Sequence, residues 1–453
     1  MGTTLRRALG VLVATIACVS VAACSGADEP DGRNTGGNGD GDGGGGTGFD
    51  DGTGGDGDGG DGDGSVVPMP IDEDLTVAGT FIWIANSEEG TVSKIDTRTM
   101  EELGRYLTNP SGDGHPSRTS VGGTGAVAVA NRGGGQDFAT GEAGVVKIEA
   151  SEARCYDRNN NGIIETSSGA SDVLPWMADE CLAWWTPLAW FSNRPVSWAP
   201  PAGPDLPETV WTAGANDCTA DACYFSVARL NGDTGTLEEL IDVGPLSGVS
   251  FIGGGVLDLF GFGFAAIPNY GPYGGAPDAA GNFWGFIGNT THLFRVDGVT
   301  LDVLTWPIPS ANAYGITVDP KGRVFLCGPS GMTRFDPGTQ TFTENFDMGL
   351  GFNGCMTDGD QLIWAGGDAL NAYDAETLAL TGSYDVGGRI KGVSVDFDGR
   401  IWGVGQQEDT RAFRLDVTTG AVDVFDGLVG PYSYSDMTGF GLEAAGYTPV
   451  VVE

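Results

Sequence analysis

Basic residues are scarce in this chain. Only 22 lysines and arginines accompany 61 acidic residues among 453 positions, for a formal net charge of −39. A surface this negative repels the phosphates of nucleic acids and anionic lipids, so neither is an expected partner. Residues that favour helices are also few, whereas 78 glycines and short runs of Trp, Phe, Val and Thr are present. This balance favours an all-β fold with many tight turns.

Groups that commonly carry catalysis are also few. The chain has two histidines, His115 and His292, and only His115 stands at the entry of a repeat unit. One histidine without a partner is a poor acid–base set. There is no nucleophile elbow, and the glycines at 253–255 lack the Lys-Ser/Thr of a phosphate loop. Because no CxxC pair or histidine cluster occurs, zinc is not expected. These observations leave open whether the protein is an enzyme.

A single apolar run of signal-peptide length lies at the N-terminus, at 8–21. Arg6 and Arg7 precede it, and it is too short for a comfortable membrane span. The run ends in Val-Ala-Ala-Cys24, which resembles a bacterial lipobox, so residues 1–24 are predicted to be a lipoprotein signal peptide. Ordinary cleavage with an incidental Cys24 is the alternative. Lipidation would anchor the protein outside the cytoplasm in the bacterial cell envelope. Ser25, in place of Asp, favours the outer membrane.

The next segment, the linker 25–75, contains few apolar side chains. Positions 25–66 hold nineteen glycines and eleven acidic residues, with Arg33 as the only basic residue. Such a segment cannot form a core and repels itself, so we expect a disordered, extended spacer.

Short strands separated by turn residues recur over the rest of the chain, 76–453. An aromatic strand is followed by a strand that ends in an acidic residue, as in Phe283-Trp284 and then Arg295-Val296-Asp297. The inner strands that precede such pairs share Gly315, Gly354 and Gly392, which are 39 and 38 residues apart. A period near 40 with strand alternation is typical of β-propeller blades.

The repeats predict seven blades, with six or eight left open because the second and third units are irregular. The predicted units are at about 80–110, 115–153, 192–244, 248–308, 311–347, 350–386 and 389–428. The first unit lacks an inner strand, and the tail 432–440 resembles one. We therefore predict an all-β, seven-bladed propeller that the C-terminal strand closes, which removes an exposed sheet edge. A monomer is expected.

The repeat motifs G-I-x-V-D-x-x-G-x-x-W and R-x-D-x-x-T-G resemble those of the streptogramin (virginiamycin B) lyase-like propeller family, most closely over 311–420. The resemblance implies an elimination with a magnesium ion, in which a histidine precedes the inner-strand glycine and acidic residues follow the aromatic strand. This chain has Tyr314, Asn353 and Lys391 before those glycines, and no acidic residue directly after the aromatic strands of the same units. The resemblance therefore implies the fold more strongly than the activity.

An insertion at 154–191 carries an oxygen-rich loop. Oxygen-bearing residues at alternate positions fit an EF-hand-type calcium loop, with Gly162 at its bend. The predicted ligands are Asp157, Asn159, Asn161, the carbonyl of Ile163, and Glu165. Ser168 replaces the usual bidentate acid, so Asp172, or Asp179 with Glu180, would have to complete the shell. A structural Ca²⁺ is predicted, and a solvated Asn-rich turn is the alternative.

Six cysteines remain beyond Cys18 and Cys24, an even number that favours disulfides in an exported protein. Six cysteines allow fifteen pairings. Proximity in sequence suggests Cys155–Cys181, Cys218–Cys223 and Cys327–Cys355.

The mouth of a propeller's central channel is its usual binding surface, and loops before the inner strands supply it. The predicted ligand-binding residues are Arg118, Arg194, Asn312, Tyr314, Asn353, Lys391, Tyr434 and Asp436, and Tyr270, Tyr273 and Arg389 occupy similar positions. Aromatic, amide and cationic groups suit a sugar, a peptide or an anionic small molecule. A water-filled funnel is the alternative reading.

Three functions follow, in order of preference. The first is a non-catalytic, surface-displayed scaffold that binds an unknown ligand or envelope protein. The second is a lyase-like enzyme acting on a cyclic ester or polysaccharide, and the third is a purely structural envelope component.

Overall fold

Strands make up nearly all the regular structure of the computed structural model. It describes residues 81–133, 143–190, 192–201, 207–218, 223–243, 271–287, 292–310, 312–346, 351–434 and 436–447. The predicted signal peptide, Cys24 and the linker 25–75 lie outside the described residues.

In the described ranges, twenty-seven strands form seven antiparallel sheets that follow one another along the chain. Blade 1 contains β1 Phe81–Asn86, β2 Thr91–Asp96 and β3 Glu102–Leu107, and blade 2 contains β4 Pro116–Val121, β5 Val127–Asn131, β6 Gly144–Ile148 and β7 Leu182–Pro187. Blade 3 contains β8 Ser192–Ala199, β9 Thr209–Cys218, β10 Cys223–Asn231 and β11 Leu237–Asp242. Blade 4 contains β12 Pro272–Pro277, β13 Phe283–Ile287, β14 His292–Val296 and β15 Val303–Pro307. Blade 5 contains β16 Gly315–Val318, β17 Val324–Gly328, β18 Gly331–Asp336 and β19 Thr341–Asn345; blade 6 contains β20 Cys355–Thr357, β21 Leu362–Ala365, β22 Leu370–Asp374 and β23 Leu380–Tyr384; blade 7 contains β24 Gly392–Val395, β25 Ile401–Val404, β26 Arg411–Leu415 and β27 Val422–Asp426. One short helix follows, α1 Phe440–Ala444.

In five of the seven blades, an acidic residue at the end of the next-to-outermost strand forms the turn to the outermost strand. Asp416 accepts hydrogen bonds from the backbone N–H groups of Thr418 at 2.8 Å and Thr419 at 3.2 Å. Equivalent pairs of bonds reach Asp96, Asp297, Asp336 and Asp374. A carboxylate that accepts from its own following backbone stabilises a tight turn. This is the physical reason for the repeating acidic marker in the sequence.

Seven apolar clusters fill the spaces between neighbouring blades. Trp284 of blade 4 packs with Phe335 of blade 5, with ring centres 6.0 Å apart. The last cluster joins Ile82 of blade 1 to Trp402 of blade 7. An open stack of seven sheets would have six such interfaces, so the seventh cluster closes the ring. The predicted seven-bladed, all-β propeller is confirmed.

A basic residue on the third strand connects several blades to the next one. Arg229 donates to the carbonyl of Gly298, and Arg334 donates to that of Ala375, at 2.9 and 2.8 Å. Arg414 of blade 7 reaches blade 1 in the same way, through the carbonyl of Arg98 at 3.0 Å. The R-x-D motif therefore combines two tasks, because its Arg binds the neighbouring blade and its Asp shapes the turn.

The C-terminal segment 430–437 completes blade 1, as the sequence predicted. Tyr432 N–H donates to the carbonyl of Ala85 at 3.1 Å, and Trp83 N–H donates to that of Met437 at 2.8 Å. Between them the N–H of Ala85 binds the hydroxyl of Ser433 at 2.8 Å, so the pairing is irregular. We call residues 430–437 the closing segment.

The helix α1 was not predicted from the sequence. Leu442 is buried in the cluster between blades 2 and 3, and Ala444 lies beside Gly359 of blade 6. These contacts place the helix across the channel where the inner strands end. None of the helices in the described part of the chain has the length and apolar character that a membrane span requires.

The insertion lies inside blade 2, not between blades 2 and 3. The predicted range 154–191 includes β7, which pairs with β6 as the fourth strand of blade 2. The extra residues run from the end of β6 to Cys181, and they interrupt the period that sequence reasoning relied on. Cys155 and Cys181 form a disulfide across the base of the insertion.

A second predicted disulfide is present among the described residues. Cys327 of β17 is bonded to Cys355 of β20, which ties blade 5 to blade 6. Cys218 and Cys223 are backbone partners across β9 and β10, but their side chains lie outside the described residues.

Candidate functional site

Cationic and phenolic side chains converge at the end of the channel where the inner strands begin. We call this group the channel cluster, and its members come from five blades and the closing segment. It consists of Arg118 on β4, Arg132 after β5, Arg194 on β8, Tyr273 on β12, Tyr314 before β16, Lys391 before β24, and Tyr432 and Tyr434 on the closing segment.

Each cation of the cluster lies against a tyrosine ring. The guanidinium carbon of Arg118 is 3.2 Å from the ring centre of Tyr434, and that of Arg194 is 4.9 Å from Tyr273. Lys391 Nζ is 3.9 Å from the ring centre of Tyr314. Cations over aromatic faces gain roughly 0.5–2 kcal/mol each, more when desolvated. The rings therefore hold the cations in place without neutralising their charge.

The phenol of Tyr432 connects the other tyrosines. Its hydroxyl is 2.5 Å from that of Tyr314 and 3.1 Å from that of Tyr273. Tyr314 also stacks on Tyr434, with ring centres 4.9 Å apart. The result is a continuous phenolic wall, in which Tyr273 and Tyr432 are partly buried.

No carboxylate of the described residues lies within salt-bridge distance of Arg118, Arg132 or Lys391. Arg118 is only 2% exposed, and its Nη2 donates to the carbonyl of Tyr273. Its Nε and Nη1 are buried without a hydrogen-bond partner. Buried charges are normally paired, because an unpaired one loses its hydration without replacement. In a chain with a net charge of −39, this cluster has the character of an anion site.

Arg105 shows how the same protein treats a buried arginine elsewhere. It is also 2% exposed, but Glu102 lies 2.8 Å and Glu89 3.2 Å from its guanidinium nitrogens. Its third contact is the carbonyl of Gly427, at 2.8 Å. Two arginines of equal burial therefore differ in whether carboxylates surround them.

The positive charges of the cluster contribute to a lowered pKa at two of its members, Lys391 and Tyr432. Burial lowers the pKa of Lys391 to about 8, and Arg118 and Arg194 add to the effect. Burial by itself would raise the pKa of Tyr432, but the positive charges of Lys391 and its arginine neighbours outweigh it and hold that pKa well below the ordinary phenol value. Burial raises the pKa of Tyr434 well above the ordinary value. Tyr432 is thus the phenol most ready to ionise beside Lys391.

Two of the predicted ligand-binding residues have structural partners outside the cluster. Asn312 accepts from the N–H of Ser330 at 2.8 Å and donates to the carbonyl of Gly331 at 2.9 Å, so it shapes a hairpin. Asp436 accepts from the N–H of Gly439 at 3.0 Å and lies at the helix end of the channel. The sequence places both near inner strands, but only the fold shows which way they point.

Three other residues predicted near the channel mouth are not members of the channel cluster. Asn353 is buried directly before β20, whereas Arg389 is exposed and lies 3.9 Å from Asp368. Tyr270 lies outside the described residues.

Sequence reasoning missed Arg132 and Tyr432. Tyr432 is two residues from Tyr434 on the closing segment, and strand alternation puts such residues on one face, so this signal was present. Arg132 carried no such signal. It follows β5 and is held by the carbonyl of His115, which accepts from its Nε at 2.9 Å. His115 itself lies beside the carbonyl of Ser87, 3.2 Å from its Nδ1.

The predicted calcium loop is compact. Asp157 accepts from the N–H groups of Asn161 at 3.1 Å and Gly162 at 2.8 Å, and the side chains of Asn159 and Asn161 both contact Glu165. Ile163, whose carbonyl is the fourth predicted ligand, has an exposed side chain.

Carboxylates alone could not hold a metal ion there. No group of three or more His, Cys, Asp or Glu side chains is placed for this purpose in the ranges that the structure covers. Calcium also accepts amide and carbonyl oxygens, which this loop supplies.

Comparisons with known proteins leave the activity undetermined. No family model and no curated protein matches the chain. Among solved structures, a catalytically inactive virginiamycin B lyase from Staphylococcus aureus with quinupristin has 12% identity over 69% of this chain and 84% of that one, with a TM-score of 0.42. A protein of unknown function from Desulfotomaculum acetoxidans has 11% identity over 78% and 96%, with a TM-score of 0.49.

A putative 6-phosphogluconolactonase from Bacteroides uniformis has 14% identity over 78% of this chain and 98% of that chain, also with a TM-score of 0.49. Similarities this low carry no argument about what the present chain binds or catalyses.

Proposed function

We propose that this protein is a lipid-anchored, extracytoplasmic β-propeller of the bacterial cell envelope that binds a small anionic ligand in the channel cluster. The observation that carries the proposal is Arg118, which is 2% exposed, has no carboxylate of the described residues within salt-bridge distance, and has two buried nitrogens without a hydrogen-bond partner. The anchor rests on the lipobox-like sequence ending in Cys24.

An anion would complete the contacts that the cluster leaves open. Nε and Nη1 of Arg118 are two buried donors on one guanidinium group, and each could donate to an oxygen of a carboxylate or phosphate. The negative surface of the chain opposes non-specific uptake of anions. Binding therefore depends on the local charges and rings, and it selects small anions over polyanions.

The scaffold function is favoured over the lyase function. Neither histidine belongs to the channel cluster, and His115 contacts it only through its backbone carbonyl, which holds Arg132. The cluster also includes the position where the lyase pattern has its histidine, and Lys391 stands there. An envelope protein as partner is compatible with the same site if it presents an acidic side chain or a C-terminal carboxylate.

Anion binding is expected to raise the melting temperature of the purified full-length protein. Sulfate, oxalate and benzoate are the probes, each compared with chloride at matched ionic strength. A ligand at 100 times its Kd stabilises by about 2.7 kcal/mol, which is roughly 3–4 °C for a propeller of this size. If none of the three raises the melting temperature above the chloride reference, the proposed function is wrong.

We also propose a structural calcium ion in the loop 157–165. Chelation with EDTA is expected to lower the melting temperature by several degrees, since bound metal stabilises the folded state by about 1.4 kcal/mol for each tenfold excess over Kd. Asp157→Asn should abolish the difference between EDTA and calcium, while Asp360→Asn, at an exposed site on blade 6, should retain it. Equal melting with and without EDTA in the wild type would show that the loop is only a solvated turn.

A further inference from the structure

Two phenol hydroxyls contact the phenol oxygen of Tyr432. The hydroxyl of Tyr314 lies 2.5 Å from it, and that of Tyr273 lies 3.1 Å from it. The shorter distance falls in the range of about 2.5–2.7 Å that is typical between a hydroxyl and an ionised oxygen, whereas two neutral hydroxyls are usually about 2.7–2.8 Å apart. An oxygen that accepts from two donors and has no proton of its own to give is a phenolate oxygen.

Positive charge flanks the ring of Tyr432. The guanidinium carbon of Arg132 is 5.1 Å from the ring centre, and Lys391 Nζ is 5.6 Å from it. Arg132 donates to the carbonyl of His115 and to the hydroxyl of Ser87, which are both neutral acceptors. Neither cation has a carboxylate within salt-bridge distance in the ranges that the structure describes. Because an arginine stays protonated in proteins, the charge of Arg132 beside the ring is permanent.

The other phenols of the channel cluster have the opposite balance. Burial raises the pKa of Tyr273 to about 12, and it raises the pKa values of Tyr314 and Tyr434 well above the ordinary phenol value. Burial acts in the same direction on Tyr432, but Lys391 and the arginines near it lower its pKa by more. Tyr314 and Tyr273 therefore keep the protons that they donate to Tyr432.

Groups that carry charge or can lose a proton reach Tyr432 from several elements. Glu88, which is exposed after β1, packs beside Gly430, two residues before Tyr432. The others are Arg132 after β5, Arg194 on β8, Tyr273 on β12, Tyr314 before β16, Lys391 before β24, and Tyr434 on the closing segment itself. The buried members of this set are cations and neutral phenols, and both kinds favour a negative charge on Tyr432.

We propose that Tyr432 is a phenolate in the folded protein at neutral pH, held by hydrogen bonds from Tyr314 and Tyr273 and by the positive charge of Arg132. The phenolate is the internal anion of the channel cluster, and an external anion competes with it. This competition rests on the proposed function and adds the regulation of that site. An external anion disfavours the phenolate, so Tyr432 takes one proton from solvent when the anion binds.

The near-ultraviolet absorbance band of ionised tyrosine tests the proposal. The full-length protein is titrated from acid to alkaline pH, and the band is compared with that of the same protein unfolded in urea. An ordinary phenol has a pKa of about 10 and is ionised to less than about 1% at neutral pH. We expect about one phenolate for each folded molecule at neutral pH, and none in the unfolded protein.

Three variants locate the phenolate, and melting curves confirm that each is folded. Tyr432→Phe should abolish the band at neutral pH. Tyr314→Phe should move its midpoint up by about 1–2 pH units, because one donor to the charged oxygen is lost. Tyr373→Phe is the matched control and should leave the band unchanged, since Tyr373 is a buried phenol on β22 whose pKa burial raises to about 12. A wild type without the band, or a Tyr432→Phe variant that keeps it, would overturn the proposal.

Sulfate separates the phenolate from the anion site. At neutral pH and against chloride at matched ionic strength, sulfate is expected to raise the melting temperature of the wild type and to reduce its phenolate band. Stabilisation by sulfate with an undiminished band would show that the two anions do not compete. A band without stabilisation by sulfate, oxalate or benzoate would leave the phenolate in place and remove the proposed function. Stabilisation by sulfate in a wild type that has no band would do the reverse.

Discussion

A chain that stops at Val429 is expected to lose cooperative folding. The truncation removes the closing segment and leaves β1, in which every residue is buried, as an open edge in the ring. Tyr434, Met437 and Leu442 go with it, and each is at most 2% exposed. Burying a side chain of this size contributes about 1.5–3 kcal/mol, so the loss approaches the entire stability of about 5–15 kcal/mol of a typical protein.

Circular dichroism and size-exclusion chromatography measure this effect. We expect a truncated protein without a cooperative melting transition and with strong self-association, because an unpaired apolar edge strand pairs with other copies. A sharp transition within a few degrees of the full-length protein would show that blade 1 is stable with three strands, contrary to the proposed role of the tail.

A single methyl group tests the same closure more gently. In Gly392→Ala the new Cβ would overlap the carbonyl oxygen of Ser433 in the closing segment. Backbone atoms cannot rotate away, so a destabilisation of about 1–3 kcal/mol is expected. Gly338→Ala is the matched control, since its new methyl group would meet only the side chain of Asp336, at 3.2 Å. The control should melt like the wild type.

Arg118→Met is expected to stabilise the protein when no anion is present. The substitution removes a buried charge that no carboxylate balances, and apolar replacement of buried ions is often neutral or stabilising by about 1–4 kcal/mol. The lost stacking on Tyr434 reduces this gain. With sulfate or oxalate present, the wild type gains stability and the variant does not. The order of the two melting temperatures is therefore expected to reverse as the anion concentration rises.

Arg105→Met is the matched control, because Arg105 has the same exposure and its carboxylates are present. Its removal leaves the largely buried carboxylate of Glu102 without its cation and with only the N–H of Ala170 as a partner among the described residues, which we expect to destabilise by about 3 kcal/mol. No anion should change that value. If both variants are destabilised equally and independently of anions, the channel cluster is a structural core and not a binding site.

The repeats in the sequence were sufficient for the fold because each marker has a local physical cause. The acidic residue that ends such a strand accepts hydrogen bonds from the backbone N–H groups two and three residues later, as Asp416 does from Thr418 and Thr419. Such bonds form within a few residues, so they are visible in any single blade. The insertion defeated this reasoning at blade 2, because β7 follows the disulfide loop and lies far in sequence from its partner β6.

The sequence predicted where the binding residues lie in the repeats, but not which side chains meet in space. The start of each inner strand faces the channel in any propeller, which led to Arg118, Arg194, Tyr314 and Lys391. The direction in which each side chain points, and the side chains it contacts, were not predictable. The side chain of Asn312, for example, forms its hydrogen bonds within its own hairpin. Arg132 joins the cluster from the end of a second strand, where no repeat rule applies.

The amino-acid sequence by itself determined the number of blades, the turns between their strands and the closure by the tail. Those features depend on short-range hydrogen bonds and on the spacing of apolar residues, which recur with the repeat. Only the tertiary structure decided that four cations meet around four tyrosines. The charges come from three blades and lie up to 273 residues apart in the chain, and electrostatic balance depends on distance in space, which closure of the ring sets.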